Sequence, residues 1–175
     1  MTKIAVRLSI SLFSYIAAFS LAAQASAADS TVSAGDKMFV TKAAQGGMTE
    51  VQLGQLAADK GTSKDVKDFG ERMVTDHGAG NTQLKSIAIS KGIMIPEKLD
   101  SKHQAMVDNL EGVSPAAFDK TYVEAMVDAH TKDNVLFNKE VTFGSDAEIK
   151  AFAAKTDEMV KMHLSMIQDI QAKMR

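Results

Sequence analysis

The sequence contains no cysteine and no tryptophan, and its only prolines are Pro96 and Pro115. The absence of cysteine excludes disulfides, thiol catalysis, thiolate metal ligands and a lipid-modified cysteine. The scarcity of proline leaves long stretches of the chain free to form uninterrupted helices. Basic residues are neither clustered nor interleaved with aromatic residues, so the sequence does not predict nucleic acid as a partner.

The first residues of the chain have the pattern of a secretory signal peptide. Two basic residues precede an apolar stretch over residues 8–23, which is followed by the small-residue triplet Ala25-Ser26-Ala27. The apolar stretch is shorter than the roughly 20 residues that span a membrane, so we expect no stable membrane insertion after signal cleavage. Removing the two basic residues changes the formal net charge from −2 to −4. The sequence therefore predicts a signal peptide over residues 1–27 and a periplasmic or secreted mature protein.

Residues 28–175 are predicted to form one all-α domain, because their apolar residues recur at intervals of three and four. Serines at helix starts and glycines at helix ends mark four long helices. The predicted helices run from Asp36 to Lys60, from the N-cap Ser63 to Lys91 with Gly92 in a left-handed conformation, from Ser114 and Pro115 to Gly144, and from the N-cap Ser145, in a capping box with Glu148, to the C-terminus.

The connections between these helices favour one bundle topology. Helices one and two, and helices three and four, are separated by only a few residues, so each pair forms an antiparallel hairpin. The connector between helices two and three covers residues 92–113 and includes a short helical segment over residues 101–110. A helix of about 28 residues is roughly 42 Å long, a distance that this connector can span. We therefore predict a ferritin-like four-helix bundle with a long crossover between helices two and three.

Each long helix places one ionisable side chain in its apolar face: Glu50, His77, His130 and His163. The three histidines share a local pattern, Met-Val-x-x-His, and a carboxylate with three imidazoles suits one four-coordinate divalent metal ion. The sequence thus predicts a metal site at these four residues, with zinc as the default ion and iron, manganese or copper left open. The predicted apolar seam of helix four, which contains His163, is Phe152, Thr156, Met159, His163, Met166 and Ile170.

Two alternatives remain open at the level of sequence. The glutamate and histidines could instead form a metal-free hydrogen-bond network, or the histidines could be unrelated core residues. In these cases the protein would be a helical interaction or stress-protective protein. Met73, Met126 and Met159 are interpreted as core residues rather than metal ligands, and His103, in the connector, as a solvated or loosely packed residue.

Several kinds of chemistry are not predicted. Di-iron bundles use a Glu-x-x-His motif on each of two helices, whereas here Val74, Val127 and Val160 lie three residues before the histidines. A carboxylate-bridged iron pair is therefore not expected. The sequence has no recognisable serine nucleophile and no phosphate-binding loop, so it predicts no catalytic residues and no organic cofactor.

Residues spread over the predicted domain together match the pattern of a known family: Phe39, Ala43, Ala44, Gly47, Glu50, Val51, Leu53, Gly54, Ser63, Val66, Lys67, Phe69, Met73 to His77, Phe118, Asp119, Tyr122, Met126, Val127, His130 and His163. With these residues the chain resembles the bacterial ferritin-like domain-of-unknown-function family 4142. The resemblance implies a ferritin-like helical fold and an exported location, without a settled activity, and its members are often labelled outer-membrane proteins. One departure is that Ala129 directly precedes His130, where the family pattern has an aspartate, and Asp128 lies one position earlier.

Overall fold

The computed structural model describes residues 32–174, and the predicted signal peptide and its cleavage site lie outside these residues. The described chain consists of five α-helices and no strands, which confirms the predicted all-helical class. Among these residues no helix combines the length and the apolar character that crossing a membrane requires. The helices are α1 (Ala34–Lys60), α2 (Lys64–Ser90), α3 (Ser101–Glu111), α4 (Pro115–Phe143) and α5 (Ala147–Lys173).

Most of the predicted helix ends agree with the structure to within two residues. Ser63 caps α2 by accepting a hydrogen bond from the backbone N–H of Val66, and Pro115 occupies the start of α4. Gly92, two residues after the end of α2, has a φ of 63°, a left-handed conformation that glycine adopts without strain. Helix α1 begins two residues earlier than predicted, because Ser33 forms a capping box with Asp36.

The predicted capping box of the last helix is wrong. Asp146, not Ser145, caps α5, and its carboxylate accepts hydrogen bonds from the backbone N–H groups of Glu148 and Ile149. The hydroxyl of Ser145 donates instead to Asp36 at the start of α1. The serine is therefore drawn into a contact between distant parts of the chain, and the next residue provides the cap.

Helices α1 and α2 form a closely packed hairpin. A Cβ atom on Gly54 would lie 2.7 Å from the carbonyl oxygen of Gly70, and one on Gly70 would lie 2.6 Å from that of Gly54. Only glycine permits this backbone approach, which brings Glu50, one turn before Gly54, close to α2. By contrast, Gly47 makes room for the side chain of Asn81.

Hydrogen bonds at both ends of the bundle join the α1–α2 hairpin to the α4–α5 hairpin. At one end, Asp119, near the start of α4, accepts from Thr62 and Ser63 in the α1–α2 loop. At the other end, Asp36, at the start of α1, accepts from Ser145 and Asp146 in the α4–α5 loop. Residues 91–114, which include α3, connect the two hairpins, and α3 packs against α1 and α4.

The buried apolar residues form two separate clusters. One lies toward the α1–α2 loop and includes Phe69, Phe118 and Tyr122; the other lies toward the α4–α5 loop and includes Phe39 and Phe137. Along the helices, the three predicted ligand histidines fall between the two clusters. A polar layer therefore interrupts the apolar core near the middle of the bundle.

Candidate metal centre

The three histidines predicted from the sequence meet in this central layer. His77 on α2, His130 on α4 and His163 on α5 are buried, with exposed fractions of 5%, 0% and 0%. Their ring centroids are 5.4 to 5.6 Å apart in all three pairings, so the rings form a nearly equilateral triangle. Side chains from three helices of both hairpins are therefore brought to one point.

One nitrogen of each ring is held by an oxygen atom of the surrounding protein. His77 Nδ1 lies 2.9 Å from Glu50 Oε2, and His163 Nε2 lies 2.8 Å from Asp76 Oδ2. His130 Nδ1 lies 3.0 Å from the carbonyl oxygen of Met126, one helical turn earlier. A carbonyl or an ionised carboxylate only accepts hydrogen bonds, so these three ring nitrogens carry the hydrogen.

The other nitrogen of each ring has no hydrogen-bond partner among the described residues. These atoms are His77 Nε2, His130 Nε2 and His163 Nδ1, and all three are buried. One potential ligand atom from each histidine lies within 4.8 Å of those of the other two. Buried polar atoms in folded proteins are nearly always paired, so three unpaired lone pairs in one place call for a positively charged or hydrogen-donating occupant.

The histidines are neutral at pH 7. Burial lowers the pKa of His77 to about 4. It also lowers the pKa of His163 to about 4, against the opposing effect of the hydrogen bond to Asp76. The pKa of His130 is lowered too, chiefly by burial. The rings are thus in the protonation state that binds metal ions.

Glu50 lies in the same layer but beside the hydrogen-bearing nitrogens of the rings. Its Oε2 atom is bonded to His77, and its Oε1 atom lies 3.5 Å from His130 Nδ1. The group of residues whose ligand atoms lie within 4.8 Å of one another consists of the three histidines. Glu50 is therefore placed where it can orient His77.

Asp133, on α4, also belongs to the polar layer. Burial, the charge of Glu50 and a hydrogen bond to Glu50 raise the pKa of Asp133 well above its usual value. Burial also raises the pKa of Glu50, but the hydrogen bond from Asp133 and the proximity of His130 oppose this increase. Burial and mutual repulsion thus disfavour a state in which both carboxyl groups are charged.

The roles of Asp76 and Asp133 were missed by sequence reasoning. Asp133 falls in the apolar face of α4 four residues before Phe137, a position that could have drawn attention to it. Asp76 directly precedes His77 in the family pattern, but its partner His163 is 87 residues away, so the sequence did not indicate this pairing. Asp128, by contrast, is exposed and pairs with Lys132 on the same helix.

The other sequence interpretations can be compared with the structure residue by residue. Met73 and Met126 are fully buried core residues, whereas Met159 is only partly buried. His103 has a side chain that is 23% exposed and lies 2.8 Å from Asp100, the residue that caps α3. In α5 the predicted positions Met159 and Met166 are partly buried, and the neighbouring Val160 and Ile167 fill the core instead.

The size of the triangle suits a transition-metal ion after a small contraction. With sides of at most 4.8 Å, an equilateral triangle of nitrogens has its centre about 2.8 Å from each atom, whereas zinc–nitrogen bonds are about 2.0 to 2.1 Å. An inward movement of less than about 1 Å per ring would therefore close the site.

Comparison with known proteins gives the family and an independent view of the fold. The model of the family described as "Domain of unknown function (DUF4142)" matches residues 21–170, which is most of the chain. The fold is similar to the crystal structure of a DUF305 fragment from Deinococcus radiodurans, with a TM-score of 0.72 and 11% sequence identity; the match covers 81% of this chain and 98% of that one. The search of curated proteins finds no match.

Proposed function

The chain belongs to the DUF4142 family, and we propose that this member binds one divalent transition-metal ion through His77, His130 and His163. The observation that carries the proposal is that each ring has one nitrogen hydrogen-bonded to an oxygen acceptor and the other buried without a partner, and that one ligand atom of each histidine lies within 4.8 Å of those of the other two. Metal-binding histidines have this arrangement, because the outer hydrogen bond fixes both the tautomer and the direction of the ring.

Glu50 and Asp76 have a supporting role in this proposal. Their carboxylates hold His77 and His163, as the oxygen atoms next to metal-binding histidines commonly do. The proposal thus retains all three histidines predicted from the sequence and assigns Glu50 to the orientation of a ligand. Zinc is the first ion to test, since it accepts three imidazoles and one further ligand; iron, manganese and copper are tested beside it.

The test is calorimetric titration of chelator-treated protein at pH 7, produced without a metal-affinity tag. We expect one zinc ion to bind per chain and the variants His77→Ala, His130→Ala and His163→Ala to lose most of the affinity, since each removes one of three ligands. Asp76→Asn should bind about 10- to 100-fold more weakly, because it perturbs only the partner of a ligand. His103→Ala, outside the triangle, is the matched control and should bind like the wild type.

A wild type that binds no metal more tightly than the three histidine variants would contradict the proposal. The central layer would then be a metal-free polar network, and a helical interaction or stress-protective role would be favoured. Elemental analysis of the freshly purified protein provides a second, independent measurement.

We also infer that the topology is that of a ferritin-like bundle, in which residues 91–114 cross from one end of the bundle to the other. The hydrogen bonds from Thr62 and Ser63 to Asp119 support it, because they bring the start of α2 and the start of α4 to the same end. A connection between two helices that run in the same direction must return along the bundle.

We propose that the protein is periplasmic or secreted and that the mature chain begins at Ala28, a prediction supported by the signal-like pattern of the first 27 residues. N-terminal sequencing of the protein from the periplasmic fraction tests it. Mature protein that keeps residues 1–27 would contradict the export proposal without affecting the metal site.

A further inference from the structure

A cavity of about 510 Å³ lies between α1, α3 and α4 and is named here the α3 groove. Cavities of this volume are typical of sites that bind small organic molecules. The buried side chain of Gln45, on α1, fixes one wall of the groove. It donates a hydrogen bond to the carbonyl oxygen of Lys98 and accepts one from the backbone N–H of Asp100, directly before α3. These hydrogen bonds hold α3 against α1 and define the shape of the groove.

Two carboxyl groups form the floor of the α3 groove. Glu50 is only 3% exposed, Asp133 is partly buried, and the two side chains are hydrogen-bonded to each other. Glu50 Oε2 is bonded to His77, whereas Glu50 Oε1 has no hydrogen-bond partner among the described residues apart from the carboxyl group of Asp133. The floor therefore has a pair of acids without a lysine or arginine partner.

The other charged residues of the groove lie at its rim. Asp128 is paired with Lys132, and Asp100 with the partly exposed His103. Both of these acids are exposed, as are the three lysines that line the groove: Lys42, Lys102 and Lys132. Water and salt screen exposed charges, whereas charges in a partly buried position interact more strongly. The acids at the floor, rather than the lysines at the rim, therefore decide that the group bound there is positively charged.

The remaining walls of the groove suit a ligand larger than an inorganic ion. Leu53 on α1, Met106 on α3 and Leu136 on α4 line the groove with apolar side chains. Among the described residues, the group of three or more close metal-ligand residues is the histidine triangle, which includes neither acid of the floor. A cation with an apolar body therefore fits the groove better than a metal ion does.

We propose that the α3 groove binds a small organic cation, whose primary ammonium group contacts Glu50 and Asp133 and whose apolar body packs against Leu53, Met106 and Leu136. An ammonium group has three N–H donors and no acceptor, so it can donate to both carboxyl groups at once. Such charge-assisted hydrogen bonds are stronger than those between neutral groups. The binding of this ligand does not require a metal ion at the three histidines.

The experiment titrates chelator-treated, ¹⁵N-labelled mature protein with benzylamine, which is protonated at pH 7, and follows the amide signals by NMR. We expect saturable shifts at residues that line the groove, among them Thr49, Met106 and Ala129. The dissociation constant should be on the order of 1 mM, as for other ligands with few non-hydrogen atoms. Benzyl alcohol and benzoate have the same ring without the positive charge. They should bind about tenfold or more weakly, because they cannot form the charge-assisted hydrogen bonds of the ammonium group.

Two variants test the position of the ligand. Asp133→Asn removes one acid of the floor and should weaken benzylamine binding about tenfold. Gly46→Leu places a side chain inside the groove and should abolish binding, since a Cβ atom at Gly46 would lie 3.6 Å from Asp133 Oδ1. Gly78→Leu, on α2, is the matched control and should bind like the wild type, because a Cβ atom at Gly78 meets no other atom within 4 Å.

Several outcomes would overturn the proposal. The first is the absence of saturable binding at ~20 mM benzylamine, about 20 times the expected dissociation constant. Equal affinities for benzylamine, benzyl alcohol and benzoate, or for the wild type and Asp133→Asn, would overturn the ammonium site. A folded Gly46→Leu protein that binds like Gly78→Leu would overturn the groove as the location. If circular dichroism shows that Gly46→Leu is not folded, the three probes and Asp133→Asn decide the outcome. Because the protein is metal-free throughout, these results do not depend on whether the histidines bind a metal.

Discussion

Two sets of buried polar residues can be compared within this bundle, one at its end and one at its centre. At the end, the carboxylate of Asp36 accepts hydrogen bonds from Ser33, Ser145 and Asp146, and Asp146 is paired with Lys91. At the centre, the three histidines each leave one buried nitrogen without a partner among the described residues. Both sets are buried, but the protein provides partners for both oxygens of Asp36, whereas each central histidine has one nitrogen without a partner.

The pKa values of Asp36 and of the groups in the central layer also reflect this difference in hydrogen bonding. Burial alone would raise the pKa of Asp36, but hydrogen bonds from Ser145, Glu140 and Ser33 hold it well below its usual value. In the central layer burial dominates, and the pKa values of the histidines fall while that of Asp133 rises. Asp36 is thus surrounded by partners from the protein, whereas the central histidines are buried with one nitrogen each left for a ligand.

The largest effect is expected for Asp36→Ala. The substitution leaves the backbone N–H groups of Ser145 and Asp146 without their acceptor and separates the two hairpins at this end. We expect the free energy of unfolding to fall by about 3 to 5 kcal/mol, measured by urea denaturation with chelator present. Asp59→Ala, at an exposed position, is the control and should change stability by less than about 0.5 kcal/mol. A small loss in Asp36→Ala would remove the contrast between the two sets.

The second-largest effect is a pH dependence of the free energy of unfolding that arises from Glu140, a buried neighbour of Asp36. Burial, the hydrogen bond to Asp36 and the charge of Asp36 raise the pKa of Glu140 to about 7. Between about pH 4.5 and 7 the unfolded chain has lost this proton and the folded chain keeps it, so the contribution of Glu140 to the free energy of unfolding decreases as the pH rises.

Glu140→Gln, which cannot ionise, removes this dependence. We expect the wild type to lose about 1 to 3 kcal/mol more than the variant between pH 4.5 and 7, and the two curves to run parallel above about pH 8. The measurement is urea denaturation of both proteins across this range in the presence of chelator. Parallel curves throughout would place the pKa of Glu140 near its usual value.

The smallest effect is expected in the central layer. In metal-free protein, His130→Leu replaces a buried imidazole with an unpaired nitrogen by an apolar side chain, so stability should stay the same or increase by up to about 2 kcal/mol. With zinc present the wild type should be more stable than the variant, because only the wild type gains stability from metal binding. Thermal unfolding of the two proteins with and without zinc measures these differences. A large loss of stability in the metal-free variant would show that the layer is a satisfied structural network.

The sequence predicted the local features of this fold well. Helix ends marked by Ser63, Pro115 and Gly92 depend on residues within a few positions, and the apolar periodicity placed the three histidines in the interior. These features follow from interactions within one helix, and such interactions can be deduced from neighbouring residues.

What the sequence did not predict depends on contacts between helices. Ser145 donates to Asp36 across 109 residues, and His163 bonds to Asp76 across 87. Which nitrogen of His77 faces Glu50 is set by the close approach of α1 and α2, not by either helix alone. The core of α5 includes Val160 and Ile167 in place of Met159 and Met166, because packing against α2 and α4 decides which residues of this helix are covered.

The division of the site between two hairpins has a consequence for folding kinetics. The α1–α2 hairpin supplies His77, and the α4–α5 hairpin supplies His130 and His163. Each hairpin forms from contacts that are close in sequence, but the ligands meet only after the two halves dock. A metal ion that needs all three imidazoles would therefore leave the rate of hairpin formation unchanged and slow the undocking of the halves, so that its removal shortens the lifetime of the native state.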